Sequence, residues 1–136
     1  MQLEQLGEKA RGLVKGNKAA VVTDENVEKL YLGRCVESLH NAGFEVYSFT
    51  VAPGEQSKSG ETYLSLLEFL AEIPLTRADV LVALGGGVVG DLTGFAAATY
   101  LRGIPVIQVP TTLLAAVDSS IGGKTAIKLT AGKNLA

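Results

Sequence analysis

At 136 residues with 47% hydrophobic side chains, the chain is long enough for one domain with its own core and too short for two comfortable ones, and it is too apolar to read as disordered. Lys and Arg number 12 against 14 Asp and Glu, a net charge of -2 that excludes nucleic-acid binding through a broad basic surface but leaves a local anion site open. The single cysteine, Cys35, excludes an intrachain disulfide, suits a reducing compartment, and beside Val36 in a helical pattern reads as a buried structural thiol rather than a nucleophile.

In chain order, "QLEQLGEKARGLVKG" (residues 2–16) spaces Leu3, Leu6, Ala10 and Leu13 three or four apart, which predicts an amphipathic helix stopped by Gly16. "KAAVVTD" (18–24) is a short apolar run that predicts a buried strand and its exit turn. Asn26 or Asp24 can cap the helix that follows, through "VEKLYLGRCVESLHNAG" to a stop at Gly43. "FEVYSFTV" (44–51) alternates at period two and predicts a strand, and "PGEQSKSGE" (53–61) a loop. "TYLSLLEFLAEI" (62–73) returns to helical spacing, and "ADVLVAL" (78–84) predicts another apolar strand. Past the glycines, "DLTGFAAATYLRG" (91–103) predicts a small-residue helix closed by Gly103, and "PVIQVP" (105–110) a fourth strand. The remainder, "TTLLAAVDSSIGGKTAIKLTAGKNLA" (111–136), predicts a helix in its first half and loop or short strand beyond Ile121.

Strands that are continuously apolar and alternate with helices predict an α/β fold: a Rossmann-like parallel sheet with helices on both faces. Ligands of such sheets bind outside the carboxyl ends of the strands. The exits here are Thr23-Asp24, "PGEQSKS", "GGGVVGD" and "PTTLL", and the polar residues able to do chemistry gather there. No charged segment followed by an apolar one opens the chain, and no apolar run approaches the ~18 residues that span a bilayer. The expected location is therefore cytoplasmic, with neither nucleic acid nor membrane as partner.

"LGGGVVGDLTGF" (84–95) contains G-x-G-x-x-G at Gly85, Gly87 and Gly90. A triphosphate P-loop requires G-x-x-x-x-G-K-[ST]. The one "GKT", Gly123 to Thr125, has Asp118 where the first glycine belongs, and a carboxylate there repels phosphate. The glycines do follow a strand and open a helix, where backbone N–H groups and the positive dipole end favour a pyrophosphate. Against the usual dinucleotide fingerprint, the turn follows the third strand rather than the first, and no acid stands about 20 residues later. The residues alone leave two readings: an anion or dinucleotide site in an unusual place, or close helix–strand packing. Asp91, Arg102, Asp118, Lys124, Lys133 and Asn134 lie in apolar, glycine-rich sequence where charge is unfavourable unless used or paired, and a lysine or arginine cluster beside strand exits suits a small acidic or phosphorylated substrate.

"GGGVVGDLTGFAAATYLRG", "QVPTTLLAAVDSSIGGKTAI" and "GKN", preceded in order by "VVTDENV" and "PGEQSKS", resemble the 3-dehydroquinate synthase family of the shikimate pathway over nearly the whole chain. The resemblance implies an NAD-dependent lyase with a divalent metal, zinc or cobalt. Such an enzyme converts 3-deoxy-D-arabino-heptulosonate 7-phosphate to 3-dehydroquinate and releases phosphate. It implies that Asp24 holds the adenosine ribose and that Glu55 and Lys58 form a second cofactor loop. Gly86, Gly87, Val88 and Asp91 would form the pyrophosphate turn, with Thr111, Thr112 and Leu113 the turn after the fourth strand. Asp118 would face both nicotinamide and substrate hydroxyls. Lys124 and Asn134 would bind substrate, Lys133 would contact NAD or substrate, and Arg102 would reach the substrate phosphate across a homodimer interface.

The family holds its metal through one glutamate and two histidines of a second, helical domain, whereas this sequence has one histidine, His40. The resemblance thus implies that residues 1–136 are the N-terminal NAD-binding domain of a longer two-domain enzyme, without metal ligands and inactive alone. Related sugar-phosphate cyclases that make an inosose or a valiolone share the glycines but not "DSSIGGKT". A non-catalytic dinucleotide-binding module is the reading from a different class.

Overall fold

The computed structural model describes residues 2–54, 59–112 and 114. Four strands form one parallel sheet in the order β2-β1-β3-β4: β1 (Lys18–Asp24), β2 (Glu45–Val51), β3 (Val80–Gly85) and β4 (Val106–Pro110). The two central strands are buried on both faces, Ala19 to Thr23 in β1 and all of β3, which is why their sequences run apolar without alternation. β2 lies at an edge and keeps the period-two pattern expected of it: Phe44 and Val46 face one core, Tyr47, Phe49 and Val51 the other. β4 occupies the opposite edge, where Pro110 at its end removes no interior ladder donor.

The helices cover both faces. On one, α1 (Leu6–Leu13) and α3 (Gly33–Asn41) bury Leu6, Ala10, Cys35 and Leu39 against Ala19, Val21, Val82 and Leu84. On the other, α4 (Gly60–Glu72) and α5 (Gly87–Thr99) bury Leu66, Leu70, Val89 and Leu92 against Ala20, Val22, Leu81 and Ala83. Successive residues of each central strand therefore feed alternate cores, the arrangement expected from continuous apolar strands.

Several boundaries differ from the spacing. The first helix begins as a 3-10 turn (Leu3–Gln5) and ends at Leu13, short of Gly16. Gly16 is instead a close-approach residue. Its N–H donates to the Ala78 carbonyl at 2.8 Å, and a Cβ there would stand 2.2 Å from Asp79 Oδ1. Arg11 holds the turn by donating to the Val14 and Gly16 carbonyls while its guanidinium stacks 4.3 Å from the Phe44 ring centre.

The second helix is not uniform. α2 (Glu25–Val27) passes through a five-residue π turn (Glu28–Leu32) before α3. The wider turn keeps Val27 and Leu32, five apart, against one core. The small-residue helix starts at Gly87 rather than past the glycines. It gives way at Tyr100–Arg102 to a 3-10 turn in which Leu101 (φ 49°) and Arg102 (φ 66°) are left-handed. The helix expected after β4 falls mostly outside the described residues, although Thr111 and Thr112 are helical.

Cys35 is fully buried, and desolvation pushes its thiol from 9.0 up to about 12, as a structural thiol requires. Folded protein should therefore not react with a disulfide reagent at pH 8, and unfolded protein should react at one thiol per chain. Rapid labelling of the native state would contradict the burial. Because the folded value is raised, the neutral thiol's contribution to stability is complete below pH 9 and is lost as pH climbs towards 12.

Candidate functional site

The sheet order sets the position of the cleft. From β1 the chain leaves towards β2, and from β3 towards β4, so the carboxyl ends of these adjacent central strands send their chains in opposite directions. A crevice opens at such a point. Thr23 pairs with Leu84, and Gly85 with Pro110, so the three exits stand side by side. The buried Thr23 hydroxyl donates to the Leu84 carbonyl at 2.7 Å, immediately before the glycines.

α5 starts in the glycine run itself, with Gly86 as its cap in extended conformation and Gly90 N–H returning to the Gly86 carbonyl at 2.9 Å. Gly86 has no side chain to offer the first-turn N–H groups, and no acid lies in that turn. By contrast, Asp24 caps α2 and Ser59 caps α4. The first turn of α5 thus presents backbone donors and a positive dipole end towards the crevice.

The two readings that the sequence left open divide between positions. A Cβ at Gly85 would come 3.0 Å from Val89, and one at Gly90 would come 2.9 Å from Gln108 Oε1, so these two glycines serve helix–strand packing. At Gly86 and Gly87 a Cβ would meet no described atom within 4 Å, and Gly86 has an ordinary negative φ. Neither packing against the described residues nor backbone strain asks for glycine there. The space a Cβ would fill opens into a concavity of about 290 Å³ lined by Gly86, Gly87, Asp91, Gln108, Pro110 and Thr112. This is the room a dinucleotide's pyrophosphate needs in order to reach backbone N–H groups.

Asp24 stands at the exit of β1. Its Oδ1 accepts from the Asn26 and Val27 N–H groups at 2.9 Å each, which makes Asp24, not Asn26, the helix cap. The cap uses one carboxylate oxygen, and Oδ2 remains for another donor. Asp91 is exposed on α5 beside the concavity, Val88 is half-buried in the first turn, and Thr111 and Thr112 follow Pro110 on its far side.

The geometry thus brings together Gly86, Gly87, Val88, Asp91, Thr111 and Thr112, with Asp24 on the neighbouring strand end. It does not bring Arg102 to them. That residue is exposed at the other end of α5, whose 13 residues span roughly 20 Å, and it shares a groove with Arg77 and Pro105 near the start of β4. Glu55, Lys58, Leu113, Asp118, Lys124, Lys133 and Asn134 lie outside the described residues.

Gln108, which is not among the candidate residues named from the sequence, also lines the concavity and donates from Nε2 to the Gly90 carbonyl at 3.2 Å. The available signal was a lone amide inside the apolar strand "VIQVP". Among the described residues no three His, Cys, Asp or Glu side chains are grouped to hold a metal ion, and His40 is exposed on α3. No described helix is long and apolar enough to cross a membrane.

A family model described as "3-dehydroquinate synthase N-terminal" matches residues 48–136. The 3-dehydroquinate synthase of Enterococcus faecalis OG1RF is 57% identical over 133 residues, 98% of this chain and 37% of the relative. That of Clostridium acetobutylicum is 47% identical over the same share of each. The chain therefore spans a little over one third of the length of these relatives. Among solved structures, a 2-deoxy-scyllo-inosose synthase superposes with a TM-score of 0.73 at 30% identity, covering 86% of this chain and 33% of that one. A structure of 2-deoxy-scyllo-inosose synthase complexed with carbaglucose-6-phosphate, NAD+ and Co2+ gives a TM-score of 0.67 at 32% identity, over 76% of this chain and 28% of its own.

Proposed function

The chain belongs to the 3-dehydroquinate synthase family, and on that premise we propose that it forms the NAD-binding half of an enzyme converting 3-deoxy-D-arabino-heptulosonate 7-phosphate to 3-dehydroquinate and phosphate. The observation that carries this reading is the Gly86–Gly87 turn: two glycines that neither packing against the described residues nor backbone strain requires, at a helix start whose cap residue has no side chain, beside the switch point of a parallel sheet. In this reading the first-turn N–H groups of α5 hold the diphosphate of NAD and Thr111 and Thr112 flank it. Asp24 accepts from a ribose hydroxyl through Oδ2 while Oδ1 keeps the α2 cap. The acid missing after the glycines is thereby supplied from β1, the strand adjacent to β3.

NAD bound there would supply a transient hydride acceptor, and the protein's part is orientation and charge. From the resemblance, Glu55, Lys58, Leu113 and Lys133 complete the cofactor contacts. Asp118, Lys124 and Asn134 contact the substrate, a small phosphorylated sugar acid. The distance of Arg102 from the turn suits contact with a phosphate held by a neighbouring subunit of a homodimer. The described residues do not fit the divalent metal of the family, whose ligands are proposed to belong to a second domain, so no step here depends on it.

The test is phosphate release by the whole gene product. It should liberate phosphate from the heptulosonate phosphate only when NAD and a divalent metal are present. Release from a different sugar phosphate and none from this one would reassign the protein to a related cyclase.

A further inference from the structure

We propose that Thr23 and Gln108 are positioning residues that hold the glycine turn from both sides, so that the first-turn N–H groups of α5 are aimed before a diphosphate arrives. The proposal rests on the dinucleotide reading of this turn and adds to it what keeps the turn in shape.

The turn has little of its own to fix it. Gly86 provides no side-chain cap, and the glycines at 85, 86, 87 and 90 leave the backbone more conformational freedom than any other residue would. Two side chains outside the turn bracket it. On β1, one side of β3, the Thr23 hydroxyl donates to the Leu84 carbonyl, the last before the glycines, at 2.7 Å. On β4, the other side, the Gln108 amide donates to the carbonyl of Gly90, the last glycine of the motif, at 3.2 Å.

Each contact is built in at the expense of apolar packing. Thr23 is 0% exposed, in a strand whose other interior positions are alanine and valine. Valine would fill the same volume and suit a strand equally well, so the hydroxyl is the chemical difference at this position. Because Thr23 is sealed in the interior, its hydroxyl touches no ligand and acts on the turn through the Leu84 carbonyl. Gln108 depends in turn on Gly90, where a Cβ would stand 2.9 Å from Oε1. Glycine and glutamine therefore act as a matched pair that seats α5 on β4.

Anchoring at both ends leaves Gly86 to Val89 as the span between the two contacts, with Gly86 and Gly87 lining the concavity. Fixing them in advance lowers the ordering cost of binding.

The experiment compares Thr23→Val, Thr23→Ser and Gln108→Met in the whole gene product. It measures NAD affinity by calorimetry, unfolding midpoint in urea, and amide hydrogen exchange at residues 86–89 without NAD. Losing one hydrogen bond should weaken NAD binding about 5- to 10-fold in Thr23→Val and in Gln108→Met. Both should also exchange faster at 86–89. Thr23→Ser keeps the hydroxyl but loses a buried methyl, so it should bind NAD within about twofold of the unaltered protein even though it unfolds at lower urea.

A role in packing alone predicts the opposite order, with Ser the worse binder, and that order would overturn the proposal. So would Thr23→Val binding NAD normally. If Thr23→Val does not fold, the half-buried, edge-strand Gln108→Met decides: normal affinity, or weakened affinity without faster exchange, overturns the clamp. An unaltered protein that fails to bind NAD overturns the dinucleotide reading itself, a result visible before any substitution is made.

Discussion

Alanine at position 87 should weaken NAD binding about 10- to 100-fold without harming the fold. Gly87 is the first residue of α5, and a Cβ there meets no described atom within 4 Å, so the described residues leave room for the methyl group. Replacing a flexible glycine at an ordinary helical position narrows the unfolded ensemble, which should raise stability by about 0.5 kcal/mol. The loss arises with ligand. The methyl would occupy space through which a diphosphate approaches the N–H groups of the first turn, and giving up one charge-assisted hydrogen bond removes about 1.5–3 kcal/mol.

Gly33→Ala provides the control. Gly33 also has open space around it but starts α3, away from the concavity, so it should gain similar stability and leave NAD affinity unchanged. Calorimetric titration and urea denaturation of the two variants read out both quantities. Equal NAD affinity in Gly87→Ala and the unaltered protein would mean that nothing approaches this turn.

The mirror image is Gly7→Ala, which should lower stability by about 2 kcal/mol, roughly 30-fold in the folding equilibrium. Gly7 is buried in α1 where that helix crosses α3. A Cβ would lie 2.0 Å from the Ser38 carbonyl oxygen, 2.8 Å from its carbon and 3.0 Å from Ala42 Cβ. The nearest obstacles are backbone, so no side chain can rotate away and α1 itself must shift.

That shift would strain the Ser38 hydroxyl, which accepts from Gly7 N–H at 2.9 Å and donates to the Glu4 carbonyl at 3.0 Å. It would also open the core that Leu3, Leu6 and Ala10 share with Cys35 and Leu39. Alanine's better helix propensity, worth up to about 1 kcal/mol, offsets only part of this. A urea midpoint at or above that of the unaltered protein would show that the crossing is loose. The glycine cleft lies at the strand ends, so NAD affinity in the folded fraction should not change.

The class of fold was legible because its physical basis is local. Central strands of a parallel sheet are buried on both faces, and "KAAVV" and "VLVAL" carry that condition as unbroken apolar runs. The edge strand "FEVYSFTV" announced its half-exposure by alternating. Elements were least legible where a distant partner intervened. α1 ends short of Gly16, where the Ala78 carbonyl takes the Gly16 N–H and the Phe44 ring stacks on Arg11, and neither partner lies within residues 2–16.

Within the site, the motif located the turn but could not say which glycine answers to which demand. Gly85 and Gly90 are set by Val89 and Gln108, while Gly86 and Gly87 face open space. Gln108 itself was invisible as a contributor until β4 was seen to flank the turn.

By itself, then, the sequence determined the alternation of strands and helices, the burial of the sheet and the family, because each is written in residue types at short spacing or in long shared motifs. The tertiary structure was needed to set Thr23 beside Leu84 and Gly85 beside Pro110, to put Arg102 at the far end of α5, and to make Thr23 and Gln108 bracket the glycines. Strand order and register fix such neighbourhoods, and pairing between residues 61 apart, as Thr23 and Leu84 are, leaves no trace in any local pattern.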